Sequence, residues 1–348
     1  MSMKTVRDFD VANKRVLVRC DFNVPLSETG EILDDFRIKK TIPTIEYLLG
    51  KGAKIILMSH LGRPEGKVVE EFRLTPVQDK LTEYLDISVA KAPDCIGAEI
   101  EKWTKGMRSG ETLLLENLRF YKEEEENDEN FAKELSKLGD IYINDAFGAS
   151  HRAHASIAGI TKFLPSAGGL LLEKEIEVLT SLLKNPQKPL VAVIGGKKVE
   201  DKAGVVDKIS KTADLVLVSG LIEKEIKEKS LEFKYPNKII GPVDEIGGGK
   251  DVGPETIRLF REKIMQAKTV FWSGPLGKIE DEEFAGGTKA LAQAIIESKA
   301  YSVAGGGETM EFVNKLGLGE KFSHLSTGGG AMLEFLSGKS LPGLEALE

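Results

Sequence analysis

Short, nearly unbroken apolar runs recur at residues 15–22, 53–60, 111–117 and 140–147, and again at 190–196, 214–220, 268–275 and 301–307. A half-exposed strand alternates polar and apolar positions. These runs do not, so each predicts a strand buried on both faces of a parallel sheet. Between them, apolar positions fall at helical spacing over 129–138, 173–184, 202–211, 254–266 and 284–297. Parallel neighbours need a crossover, so this alternation predicts βαβ units and an α/β fold of doubly wound, Rossmann-like sheets.

A chain of 348 residues suits two cores better than one. Residues 165–189 hold Pro165, a glycine pair, one helical run and then the sequence NPQKP. They read as a linker helix and hinge over 173–188, between a first domain at 1–172 and a second at 189–331, with an open cleft between the two. No internal repeat or low-complexity tract is visible. The acidic run Glu123–Glu126 reads as the opening of a solvated helix face, where early carboxylates suit the helix dipole.

Composition narrows the function. With 41% hydrophobic and 30% charged residues the chain belongs to the globular class, so it is expected to fold. The net charge of −7 argues against a surface that is one electrostatic footprint for nucleic acid, so any anion site is local. Cys20 and Cys95 form no metal-ligand or redox spacing, which suits a reducing compartment. The N-terminus MSMKTVRDFD lacks an apolar leader and no window approaches roughly 18 apolar residues, so a cytoplasmic protein without membrane attachment is expected.

Ligands of open α/β sheets bind beyond the carboxyl ends of the strands. In the first half those ends deliver Asp21 and Asn23, His60 and Arg63, Arg119, then Asn144–Asp145 followed by His151, Arg152 and His154. A basic cluster in an acidic protein points to a small polyanion such as a phosphorylated acid. The second half runs instead into glycines at 195–196, 274, 305–307 and 328–330, with Lys198 and Lys202 four apart at a helix start. Glycines before helices let backbone N–H groups approach phosphate oxygens. P-loop, dinucleotide, zincin and serine-hydrolase motifs are absent from the sequence. His324 reads as structural.

These residues lie in segments that resemble phosphoglycerate kinases: VRCDFNVPL (18–26), DDFRIKKTIPTI (34–45), LMSHLGRPEG (57–66), LLLENLRFY (113–121), INDAFGASHRAHAS (143–156), WSGPLG (272–277) and FSHLSTGGGAMLEFLSGKSLPGLEAL (322–347). The resemblance implies reversible phosphoryl transfer between ATP and the carboxylate of 3-phosphoglycerate, with Mg²⁺, by a monomer that binds no nucleic acid. It implies phosphoglycerate contacts from Asp21, Asn23, Arg37, His60, Arg63, Arg119 and Arg152. Nucleotide contacts would come from Gly195, Lys198, Lys202, Pro275, Glu280, Gly305, Gly306, Gly307, Glu308, Thr309, Gly328 and Gly329, with Glu308 on the metal. Catalysis would fall to Arg37, Lys198, Lys202, Gly306 and Gly329, and residues 332–348 would return to the first domain.

Three departures accompany the resemblance. Glu308 stands where the family has aspartate, Ser273 where it has asparagine, and the stretch from Ser219–Gly220 to Asp244–Glu245 is some forty-five residues shorter than usual. Loss of the segment beside the adenine predicts weak discrimination between nucleotide bases. The other readings are a phosphoglycerate-binding regulatory module without productive nucleotide use, and a phosphotransferase with another donor such as pyrophosphate.

Overall fold

The computed structural model describes residues 3–196 and 199–348, which fall into two compact units, 1–176 with 340–348 and 177–339. In the first unit the strands are β1 (Arg15–Arg19), β2 (Lys54–Met58), β3 (Val89–Lys91), β4 (Thr112–Leu114), β5 (Ile141–Asn144) and β6 (Ser166–Gly168). They form a parallel sheet of order β3-β4-β2-β1-β5-β6. Val16 pairs with both Ile55 and Ile141, and Val16, Leu17 and Val18 are fully buried because helices cover both faces. Each such side chain contributes about 1.5–3 kcal/mol when buried, which explains why the unbroken apolar runs become central strands.

The helices of this unit are α1 (Phe36–Gly50), α2 (Thr75–Leu85), α3 (Ala98–Gly106), α4 (Lys122–Glu125) and α5 (Glu129–Ser136), followed by α6 (Leu170–Lys184), in which the division between units falls. Ile38, Ile45 and Leu48 of α1 and Val77 and Leu81 of α2 pack into one core with Val18, Ile55 and Leu57. The 165–169 stretch, expected to lead into a linker, is instead the edge strand β6: its Ser166 and Ala167 pair with Tyr142 and Ile143.

The second unit holds β7 (Leu190–Ile194), β8 (Leu215–Val218), β9 (Ile239–Ile240), a hairpin of β10 (Glu245–Ile246) and β11 (Asp251–Val252), then β12 (Thr269–Ser273), β13 (Tyr301–Gly305) and β14 (His324–Ser326). Among the described residues its main sheet is parallel, in the order β14-β13-β12-β7-β8-β9. Helices α7 (Val199–Thr212), α8 (Gly220–Glu228), α9 (Pro254–Met265), α10 (Gly286–Ser298), α11 (Gly307–Lys315) and α12 (Gly329–Ser337) flank it. The last helix, α13 (Pro342–Glu345), belongs to the first unit, where the Gly343 amide donates to the Ser150 carbonyl at 2.9 Å.

Strand order reverses between β1 and β5 in one sheet and between β7 and β12 in the other. Successive crossovers leave from such a point in opposite directions, opening a crevice at the carboxyl edge. The loops after those four strands are therefore where ligands are expected.

The shortened stretch of the second unit is held by carboxylates at helix N-termini, where orphan N–H groups and the dipole favour negative charge. Asp244 accepts from the amides of Glu255 (3.1 Å) and Thr256 (2.7 Å) at the start of α9. Asp251 accepts from Gly287 at 2.7 Å at the start of α10. The Glu245 carboxylate lies against Gly220, the first residue of α8, so closely that any side chain there would collide with it.

Candidate functional site

At the carboxyl edge of the first sheet, the turn after β1 carries Asp21 and Asn23. Arg37, in the first turn of α1, donates from Nη1 to both Asp21 oxygens (3.2 and 3.1 Å) and to the Asn23 carbonyl (3.1 Å). Among the described residues its Nε and Nη2 have no hydrogen-bond partner, and the side chain keeps 28% exposure, so this face of the guanidinium stays open to a ligand. The Asn23 side-chain oxygen accepts from the Gly62 amide at 2.9 Å, tying the β1 loop to the β2 loop. Arg119, almost wholly buried, donates from Nη1 to the Gly62 carbonyl at 2.9 Å.

Beneath these groups lies a residue the sequence reading passed over. Arg19 closes β1 fully buried, donating from Nε to Ser156 Oγ at 2.8 Å and from Nη1 to the Cys20 carbonyl, with Nη2 3.1 Å from His60 Nδ1. Burial, then the charges of Arg19, Arg119 and Arg37, holds the His60 pKa well below its usual range. Burial, then the charges of Arg19, Arg119 and Arg152, pushes His154 down to about 3. Both imidazoles are therefore neutral at physiological pH, and the positive charge of the site is carried by guanidinium groups.

The expectation that Glu123–Glu126 forms a solvated face is corrected at Glu124. It is fully buried, accepts from Ser156 N (2.9 Å) and Oγ (2.5 Å), and lies 3.8 Å from both Arg19 Nη2 and His154 Nδ1. A buried guanidinium needs a counter-charge, and Glu124 supplies it while leaving the site net positive. Arg63 and Arg152 are exposed and form no ion pair among the described residues. Arg152 still lies near enough to Arg119 and His154 to depress their pKa values.

Asp145 follows β5 but turns away from the cluster. Its Oδ1 accepts from Leu171 and Leu172 (3.0 and 3.2 Å) in the first turn of α6, while buried Oδ2 has no hydrogen-bond partner among the described residues. Burial pushes its pKa up to about 6. Because the folded chain holds this proton more tightly than the unfolded one, the contribution of Asp145 to stability is present below about pH 4 and is lost as pH rises through about 6. Asp145→Asn removes the titration. The stability of the native chain relative to that variant, measured by urea unfolding, should fall by on the order of 2–3 kcal/mol between pH 4 and pH 7. Parallel curves would refute a carboxyl strained by burial.

In the second unit the glycine junctions form one continuous surface. Gly195 and Gly274, after β7 and β12, approach so closely that a side chain on either would strike the backbone of the other loop, which is why both positions require glycine. The Gly196 amide donates to the Pro275 carbonyl at 2.7 Å, and Trp272 anchors the second turn through Nε1 to the Gly274 carbonyl at 2.8 Å. Lys202 is buried with its ammonium on the Gly195 carbonyl, and a Cβ added at Gly196 would stand 2.6 Å from Nζ. Glu308 extends its carboxylate to the same glycine, Oε2 standing 3.3 Å from that position.

Gly306, at φ +112°, precedes α11, and Gly307 opens that helix facing open space. The start of α12 comes beside it: a Cβ on Gly329 would lie 4.0 Å from the Gly307 amide nitrogen. Two helix N-termini thus converge next to Lys202, an arrangement that attracts phosphate oxygens. Gly328 is buried behind them, and Gly305 lies under Met332. The Thr309 hydroxyl is committed internally, accepting from the Gly274 amide at 2.8 Å. Lys198 lies outside the described residues.

Gly196 and Glu308 line a cavity of about 160 Å³ together with Pro275 and Leu276. Leu221, Gly249, Lys250 and Lys278 line it as well, with exposed Glu280.

The family model described as phosphoglycerate kinase matches residues 6–230 and 227–339. The chain is 44% identical to the phosphoglycerate kinase of Dictyoglomus turgidum over 396 aligned positions and 45% identical to that of Borrelia garinii over 393, covering the whole of each chain. Among solved structures, the phosphoglycerate kinase of Pyrococcus horikoshii is similar with a TM-score of 0.86 at 35% identity, over 99% of this chain and 98% of that one. That of Coxiella burnetii gives 0.83 at 35% identity over 99% of both. The 396 aligned positions exceed the 348 residues of this chain by 48, and the two matched segments of the family model meet at 227–230, inside the shortened stretch.

Proposed function

The chain belongs to the phosphoglycerate kinase family, as a kinase that transfers a phosphoryl group between ATP and the carboxylate of 3-phosphoglycerate, and we propose how its own residues divide that work. The first unit binds the phosphoglycerate through Arg37, Arg119, Arg63, Arg152, Asn23 and neutral His60, with Asp21 orienting Arg37. The second binds the nucleotide through Lys202, Lys198, Glu280 and the glycine junctions at 195–196, 274–275, 305–307 and 328–329, with Thr309 holding the Gly274 turn against α11. The observation that carries this reading is the convergence of Arg19, Arg37, Arg119 and His60 at the carboxyl edge of one parallel sheet.

The nucleophile is a carboxylate, ionised at neutral pH, so no general base is required, and the neutral imidazoles are not needed as one. What remains is to align two anions and to neutralise charge on the group in flight, the work of guanidinium, ammonium and backbone dipoles. Arg37 does so from one side. Lys202, with the N-termini of α11 and α12 at Gly306–Gly307 and Gly329, does so from the nucleotide side.

Mg²⁺ is typically held by one or two carboxylates together with substrate phosphates and water. The Glu308 carboxylate beside Gly196 fits that pattern, and no cluster of three metal-ligating side chains exists among the described residues. Glu308 would hold the ion, which when bound adds charge neutralisation at the phosphates. No helix among the described residues is long and apolar enough to cross a membrane. We place the enzyme in the cytoplasm as a monomer acting on small molecules.

Incubation with 3-phosphoglycerate, MgATP and hydroxylamine should yield the hydroxamate of the acyl phosphate, in amounts that require all three. Absence of hydroxamate, with phosphoglycerate binding intact, would favour a binding module; product formed with pyrophosphate in place of ATP would favour the other donor.

A further inference from the structure

Resting on that reading of the first unit, we infer that Arg19 is a positioning residue: it holds His60 as the tautomer protonated at Nε2, so that the ring donates a hydrogen bond to an anionic oxygen of the phosphoglycerate and accepts none from its hydroxyl. Arg19 Nη2 stands 3.1 Å from His60 Nδ1. A guanidinium has five donors and no acceptor and keeps its protons in proteins, so Nδ1 is the accepting nitrogen of this bond. In a neutral imidazole the bond made by one nitrogen decides where the proton sits, which here is Nε2. Protonating Nδ1 as well would set one N–H against another.

Arg19 is held so that it cannot turn away from the ring. Ser156 Oγ takes its Nε at 2.8 Å, and the Cys20 carbonyl takes its Nη1. The Ser156 hydroxyl gives its own proton to Glu124 Oε1 at 2.5 Å, which leaves its lone pairs for the guanidinium, and Tyr142 Oη fixes the Ser156 carbonyl at 2.7 Å. Arg19, Ser156, Glu124 and Tyr142 are all fully buried. On the histidine side, Ser59 Oγ donates to the Cys20 carbonyl and accepts from the Phe22 amide, both at 2.9 Å, tying the end of β2 to the turn after β1 one residue before His60. His60 Nε2 has no hydrogen-bond partner among the described residues, and the residue keeps 4% exposure, so this nitrogen remains available to a ligand. Two residues on, at Gly62, the same loop meets Asn23 and Arg119. A planar fork fixed at three points thus selects one tautomer at the edge of the anion site.

The test begins with the native chain. Long-range ¹H–¹⁵N correlation spectra of the ligand-free protein at pH 7 separate the two tautomers, and the His60→Gln spectrum identifies the His60 signals among those of four histidines. The Nε2–H form alone is expected, its Nε2 resonance moving on saturation with 3-phosphoglycerate while the tautomer stays. A ring protonated at Nδ1, or an Nε2 resonance that saturating ligand leaves in place, overturns the inference. Arg19→Met with Glu124→Leu removes the guanidinium together with its counter-charge. His60 should then give both tautomers, and the calorimetric Kd for 3-phosphoglycerate should rise roughly tenfold or more, the scale of one hydrogen bond to a charged group. His60→Ala should cost the native chain as much, and the paired variant less than about twofold further, because both changes remove one interaction. Additive costs would mean that Arg19 does not act through His60. Should the paired variant fail to fold, the native spectra decide alone. If 3-phosphoglycerate does not bind the native chain, the substrate reading fails and the donation with it, whereas the tautomer still shows whether Arg19 sets the ring.

Discussion

Arg37→Ala should lower kcat by roughly 10²–10³-fold, about 2.7–4 kcal/mol, the usual loss when one preorganised donor to a charged transition state is removed. The expectation follows from how the side chain is held. Asp21 and the Asn23 carbonyl fix Nη1 at 3.1–3.2 Å, so the remaining donors are oriented before substrate arrives. A donor of this kind stabilises charge that develops during transfer more than charge already present on the substrate. KM for 3-phosphoglycerate should therefore rise far less than kcat falls. Arg37→Lys should rescue little, since a single ammonium cannot hold Asp21 and the ligand at once. A hundredfold rise in KM with kcat intact would make Arg37 a binding residue only.

Glu124→Ala should destabilise the first unit by about 3–5 kcal/mol, the cost of stranding one partner of a buried ion pair. The variant leaves the Arg19 guanidinium without its counter-charge and the Ser156 amide without its acceptor. Glu124→Gln keeps an acceptor for Ser156 and should lose less. Urea unfolding followed by circular dichroism reads both. If Glu124→Ala costs under about 1 kcal/mol, in the range of an exposed pair, the carboxylate does not neutralise Arg19. Arg19→Met combined with Glu124→Leu tests the coupling: the double variant should be more stable than Glu124→Leu alone, because it removes both charges together.

Glu124 also shows where reading the chain stops. Four consecutive glutamates in and just after so short a helix carry no amphipathic period, so nothing local marks the second as buried; the strand that delivers Arg19 beneath it is over a hundred residues away in sequence. Arg19 did leave a trace. An arginine inside the otherwise apolar run RVLVRCDF must find a partner once that run is buried on both faces. Asp244, Glu245 and Asp251 left none, because a carboxylate in a loop gains its meaning only from the helix start that folding brings to it.

The sequence alone determined the eight central strands, the α/β class and the strand ends at which the basic cluster and the glycine junctions stand. A strand covered on both faces must be apolar at every position, and its carboxyl end must present whatever binds. Only the tertiary structure decided the four edge strands β3, β6, β9 and β14, each two or three residues long and too short to display a period. It also decided which charges lie buried beneath the arginines and how the shortened stretch is tied to the starts of α8, α9 and α10. Those outcomes depend on neighbours distant along the chain, and the free energy of a buried charge or an apolar wall is set by what surrounds it.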